Sequence, residues 1–290
     1  MQKSQKITLG AMTGIALTVF AAGSAYAQSA ADLLPKKYKD ASAIKLVTDA
    51  KYVPYQFMDD SGKMVGFEVD LWNAIGKKLG VKIDVTSVAF DSMIPGVQSG
   101  RWDISMEGIT DNLERQKVVS FVDYGYTTTS AYVLADKGAG YTDHLSLCGL
   151  KGAAQSGTEW VGMITTEIGA ACKKAGKAEP TVQEYGTQDA TLLSIYSGRA
   201  DFVLTSAASA QEIQKAAPRP VKIVPTPILP RKPSGIAFRK DEADLGQALL
   251  AALKEIKADG SYDKAYADWG VTSMKMDHEF GINLANVPTK

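Results

Sequence analysis

The chain has 290 residues, 45% of them apolar and 22% charged, with 32 basic and 32 acidic residues. This is ordinary globular material, enough for two modest cores. The charge balance argues against nucleic acid or an anionic membrane surface as partner.

The amino terminus reads as a secretory signal. Lys3 and Lys6 give a positive start, residues 7–22 are apolar or small, and Ala25-Tyr26-Ala27 places small residues where a signal peptidase reads. Residues 1–27 are therefore expected to be cleaved after Ala27 and the rest exported to the periplasm. A membrane anchor is the alternative, but the apolar run is short for a bilayer span and no second one follows. With no cysteine at the cleavage point, a lipid anchor is not expected. Removing Lys3 and Lys6 leaves 30 basic residues against 32 acidic ones.

From Ile44 the pattern is strand then helix, repeated. Residues 44–48 form a short apolar run, and Gly62 and Gly66 punctuate a hairpin-like stretch. In residues 69–79, Leu71, Ile75 and Leu79 line one helical stripe, closed by Gly80. Residues 81–85 alternate as a strand, 92–99 form a short helix and 103–106 a strand. The second half continues the rhythm, with strands at 150–155, 181–185, 201–204 and 221–224. Helices are expected at 158–175, 188–197 and 206–216. A strand at 235–238, a helix at 242–258 and a last helical piece at 262–269 complete the series. Such alternation predicts an α/β fold with mainly parallel sheets covered on both faces. The Pro-rich stretch 225–233 is the best candidate for a crossing between domains.

Cys148 and Cys172 are few for a disulfide-framed fold but even in number. One bridge within the second half is the simplest reading, two buried free thiols the alternative. His144 and His278 lie far apart with no metal-type ligand at useful spacing, and no nucleophile elbow or phosphate loop is present. Neither a metal nor a cofactor is expected.

The segment Gly108 to Arg115 carries the chemistry. A loop whose free N–H groups open a helix is an anion site by geometry. An arginine one turn further in can close on a carboxylate with two parallel hydrogen bonds. By spacing alone, Thr110 and Arg115 read first as a helix cap and an exposed surface arginine.

Longer motifs add to this. Gly66-Phe67-Glu68-Val69-Asp70-Leu71 with Ile75, Gly76 and Leu79 is followed by residues 94–100 and Asp103. Gly108-Ile109-Thr110 with Glu114-Arg115 and then Phe121-Val122-Asp123-Tyr124 continue the series. Together these resemble the family 3 solute-binding proteins, the polar amino-acid receptors of bacterial ABC importers. Weaker similarity covers residues 152–157, 198–201 and 235–238.

The resemblance implies a two-lobed periplasmic binding protein fold of type II with two hinge crossings, near 126–130 and 225–232. The first lobe would hold residues 40–127 and 233–270, the second 128–232, with 271–290 as a tail. It implies that Arg115 clamps a ligand carboxylate and that Gly108 and Thr110 bind carboxylate and ammonium. Tyr52 and Phe90 would sandwich the ligand's body, and Asp49 would meet its distal end. Gln155, Thr158 and Glu159 would complete the carboxylate site from the second lobe. The expected partners are a small polar carboxylate and a membrane permease, and the expected state is a monomer that is not an enzyme.

One departure stands out. Relatives that bind α-amino acids usually carry an aspartate shortly after the strand equivalent to 201–204, where this chain has Thr205-Ser206-Ala207. A hydroxyl cannot neutralise a buried cation. Either Glu159, Glu107 or Asp49 does so, or the ligand lacks a free α-ammonium. The rivals are a dehydratase of the cyclohexadienyl type, with Glu107 or Glu159 as general acid, and a ligand-sensing module.

Overall fold

The computed structural model describes residues 28–286; the expected signal segment 1–27 lies outside them. The chain first lays down β1 Ala43–Thr48, β2 Lys51–Tyr52, β3 Gln56–Met58, β4 Met64–Val65, β5 Lys82–Ser87, β6 Ile104–Ser105 and β7 Val119–Thr127. It then forms β8 Thr129–Leu134, β9 Lys151–Gln155, β10 Thr181–Tyr185, β11 Phe202–Ser206 and β12 Val221–Val224. It returns with β13 Lys232–Arg239 and β14 Gly281–Ile282.

These strands build two main sheets. One has the order β14-β7-β13-β6-β1-β5 and the other β10-β9-β11-β8-β12, while β2, β3 and β4 form a small third sheet. The chain leaves the first main sheet between β7 and β8 and comes back between β12 and β13. Each main sheet is mixed rather than mainly parallel. β1 pairs parallel with β5 and β6, but β13 runs antiparallel to β6 and β7. In the second sheet β9 pairs parallel with β10 and β11, and β8 runs antiparallel to β11 and β12. The cause is the crossings: the long strands that carry the chain between sheets run back against the βα units.

The sequence pattern does not mark these crossing strands over their full length. Every residue of β7 is buried, so the run shows no two-residue alternation to mark it as a strand. Residues 271–286 do not trail off as a tail. β14 pairs with β7, and the N–H groups of Leu284 and Ala285 donate to the Asp123 and Asp111 carboxylates at 2.9 Å.

The helix Phe67–Leu79 begins two residues earlier than its apolar stripe suggested, because Phe67 itself is core, 4.9 Å from the Tyr55 ring. Gly66 precedes it at φ 137°, and a Cβ there would lie 2.1 Å from the Tyr55 carbonyl oxygen. Only glycine tolerates that backbone and that approach. The helix packs against Ala243–Ala258 and Ser261–Asp268, and Tyr262 and Tyr266 donate to the Tyr124 carbonyl at 2.7 and 3.1 Å. The expected helix 158–175 is continuous but passes through a π turn, Ile164–Ile168, between Glu159–Met163 and Gly169–Lys174. Cys172 on its last part is bridged to Cys148, with Cα atoms 5.5 Å apart. The bridge ties this helix to the turn before β9.

Candidate ligand-binding cleft

The cleft lies where the two main sheets face one another. Its first wall is built from the ends of β1 and β6 and the loop after β6. The Thr110 to Arg115 spacing works as geometry: Asn112 caps the short helix Leu113–Gln116 by accepting the Arg115 N–H at 2.8 Å. That turns the Arg115 side chain back onto Thr110. Nη1 donates to the Thr110 carbonyl at 2.9 Å and hydroxyl at 2.7 Å, and Nη2 crosses the cleft to the Gly157 carbonyl at 3.0 Å. The guanidinium lies over Phe90, 5.7 Å from the ring centre, a cation–π arrangement. Burial pulls the Arg115 pKa down while Glu159 and Asp111 oppose the shift; a guanidinium stays charged.

Gly108 has φ +55°, and a Cβ there would stand 2.7 Å from the Tyr55 ring. Its N–H donates at 2.7 Å to Oε1 of Glu68, which also accepts the Tyr124 hydroxyl. Glu68 is fully buried, and burial pushes its pKa up to about 8 against those two hydrogen bonds. Next to it, Glu107 accepts the Thr48 hydroxyl at 2.7 Å and the Asp49 N–H through the same oxygen. Burial first, and the Asp49 charge second among the raising influences, push the Glu107 carboxyl well above the ordinary range.

The second wall comes from loop-to-helix joints. Gln155 ends β9 and donates across the cleft to Asp49 at 3.1 Å. Thr158 donates to the Gln155 carbonyl at 2.6 Å. Glu159 accepts the Asn112 amide from the first wall and pairs with Lys232 at 2.8 Å. Trp160 donates from Nε1 to the Thr129 hydroxyl at 3.2 Å, and its ring centre stands 6.2 Å from that of Tyr52, which itself stacks on Tyr55 at 4.3 Å. Besides the Tyr52–Trp160 ring contact, hydrogen bonds cross the cleft from Arg115 to Gly157, from Asn112 to Glu159 and from Gln155 to Asp49. The cavity left between the walls is about 20 Å³, room for about one water, so a solute enters only when the lobes part. A wider groove of about 850 Å³ runs along the mouth past Asp111, Glu159 and Lys232.

Of the residues singled out in the sequence, Tyr52, Phe90, Gly108, Thr110, Arg115, Gln155, Thr158 and Glu159 line this cavity together. Two do not. Asp49 is buried behind Gln155 with a raised pKa caused by burial. Ser206 caps the helix Ala207–Ala216 by accepting the Ser209 N–H at 3.1 Å and faces the Tyr52 and Tyr55 hydroxyls, so tyrosine oxygens occupy its side. Trp160, Gln188 and Glu107 also line the cavity. Trp160 directly follows Glu159, and Gln188 opens a helix capped by Thr187, which are the only local signals they carry.

Residues 44–272 match the family model of the bacterial extracellular solute-binding proteins, family 3. The chain belongs to that family. It is the substrate-binding component of an ABC transporter, holding a small solute between two lobes. An arginine-binding protein of Corynebacterium glutamicum is 28% identical over 246 residues, covering 84% of this chain and 80% of that one. Among solved structures, an ancestral arginine-binding protein bound to arginine superposes with a TM-score of 0.67 at 32% identity, over 79% of this chain and 98% of that one. An ancestral amino-acid-binding protein described as a precursor of cyclohexadienyl dehydratase gives 0.67 at 30%, over 81% and 98%. Among the described residues no helix is long and apolar enough to cross a membrane, and no cluster of three or more metal-type side chains occurs.

Proposed function

We propose that this protein works in the periplasm as a monomeric receptor for a small carboxylate that also carries a basic or strongly hydrogen-bonding nitrogen group, and hands it to a membrane permease. The observation that carries the reading is Arg115, held against Thr110 and over Phe90 on the wall of the interlobe cavity. A carboxylate entering the open cleft meets the Arg115 guanidinium and the Thr110 hydroxyl beside it, and charge-assisted hydrogen bonds of this kind are the strong ones. Tyr52, Phe90 and Trp160 offer apolar faces for the body of the ligand. The arginine-binding names of the relatives fit a ligand with a carboxylate at one end and a cation elsewhere. Closure adds contacts from the second wall, so the ligand stabilises the closed state by its extra affinity for it.

The reading is one of binding without turnover. Of the two acids considered for proton transfer, Glu159 is already engaged by Lys232 and Asn112, and Glu107 is anchored through one oxygen by Thr48 and Asp49. A thermal-shift screen over amino acids, opines, polyamines and simple carboxylates tests the proposal. A ligand at 100 times its Kd raises the unfolding free energy by about 2.7 kcal/mol. The hit should contain a carboxylate, lose its effect with Arg115→Ala, and be recovered unchanged by NMR. A polyamine hit, or a hit converted to product, would refute it.

A further inference from the structure

Ser206 stands where an acid is expected and is turned away from the cavity, which leaves open what meets a ligand's positive charge. Three acids are near enough to consider. Glu159 lines the cavity but is paired with Lys232 at 2.8 Å and takes the Asn112 amide. Asp49 lies outside the cavity wall and takes the Gln155 amide at 3.1 Å. Glu107 is different. It lines the cavity beside Gly108, Thr110 and Arg115 and is 3% exposed. One of its oxygens takes both the Thr48 hydroxyl and the Asp49 N–H, and the other, Oε1, takes no hydrogen bond among the described residues.

We infer that Glu107 supplies, from the first lobe, the countercharge for a cationic nitrogen on the ligand, replacing the acid missing at Ser206. This deepens the function proposed above and rests on it. The groups around Glu107 agree. Asp49, just past the end of β1, adds negative potential. The cations of the site are already engaged, Arg115 by Thr110 and Gly157 and Lys232 by Glu159. A buried carboxyl with no cation beside it holds its proton, and an arriving cation favours the ionised form. The protein therefore takes a carboxylate at Arg115 and a protonated nitrogen at Glu107, and binding expels a proton.

Calorimetric titration of the mature protein with L-arginine, Nα-acetyl-L-arginine and L-citrulline tests this, since the second lacks the α-cation and the third the distal one. Glu107→Gln should weaken L-arginine at least tenfold, and the penalty should vanish for whichever analogue lacks the cation that Glu107 meets. Wild-type titrations near pH 6.5 in buffers of different ionisation enthalpy should show proton release with L-arginine, absent in Glu107→Gln. This second readout holds even if the variant folds less well, because it is taken on the wild type. Equal affinity of wild type and Glu107→Gln for L-arginine, or binding without proton release, would overturn the inference. So would wild-type protein that ignores all three and instead binds a carboxylate with no cationic group in an Arg115-dependent manner. Binding that survives Arg115→Ala undiminished would instead overturn the functional reading itself.

Discussion

The wall of the cleft that belongs to the first sheet carries side chains locked from behind, whereas the wall from the second sheet presents groups at loop-to-helix joints. Gly108 is pinned by Glu68 and Tyr124, Glu107 by Thr48 and Asp49, and Arg115 by Thr110 and its Asn112 cap. Across the cleft, Gly157 offers a carbonyl, while Gln155 and Glu159 take their cavity-side partners, Asp49 and Asn112, from the opposite wall. The difference teaches a division of labour. The first wall is preorganised to recognise a ligand, which lowers the ordering cost of binding. The second wall completes the site on closure, and its cross-cleft bonds set how readily the lobes meet.

The largest expected effect comes from breaking the first wall. Arg115→Ala should weaken binding of the thermal-shift hit by 100-fold or more, since hydrogen bonds to a charged group are worth about 1.5–3 kcal/mol each and two are lost. The melting temperature of the unliganded protein should change little, because Arg115 is not part of the apolar core. A matched loss of affinity and stability would mean that Arg115 acts as a structural residue.

The bridge sharpens the contrast from the other side. Cys148 and Cys172 close a loop of 24 residues within the second lobe, worth about 3 kcal/mol by chain-entropy reasoning. The double change to serine should lower the unfolding free energy by that order while leaving affinity within about twofold. A large affinity loss would show that the second lobe also needs rigidity to bind. Thiol titration of the denatured, unreduced wild type should find no free cysteine.

A pH series tests the support behind Gly108. Glu68 titrates near 8 when folded, against an ordinary value of 4.5. The folded protein thus binds its proton more tightly than the unfolded chain, and stability falls as pH rises between those values. Asp123, also raised by burial to about 8, acts in the same direction. Glu68→Gln keeps an acceptor for Gly108 and should flatten the decline by roughly 3–4 kcal/mol between pH 5 and 8, read from urea midpoints. An unchanged slope would mean that Glu68 is ionised in the folded protein.

The smallest effect belongs to the second wall. Glu159→Gln removes the ion pair with Lys232 at a partly buried position. It should change ligand affinity about threefold to tenfold, mainly in the dissociation rate, in line with a modest ion pair. A loss as large as that of Arg115→Ala would erase the distinction between the walls.

What the sequence made legible follows from which signals are local. The helix Phe67–Leu79 announced itself by the spacing of Leu71, Ile75 and Leu79, and the Thr110 to Arg115 turn by a five-residue interval within one loop. β7 was hidden because burial on both faces removes alternation. Asp49, expected at the ligand's distal end, instead sits behind Gln155, a partner from the other lobe whose approach no local pattern reveals. Ser206, expected among the ligand-binding residues, does not line the cavity, and its turn towards Tyr52 and Tyr55 is a packing outcome without a local pattern. Glu107 was visible as an acid, while its free oxygen on the cavity wall follows from the end geometry of β6.

The central claim is that the first wall reads a carboxylate through Arg115, and one calorimetric comparison tests it most directly. Wild-type protein is titrated with L-arginine and with agmatine, the same molecule without its carboxylate. The account predicts that agmatine binds at least 100-fold more weakly and that Arg115→Ala reduces L-arginine to the same level. Equal affinity for the two compounds would contradict it.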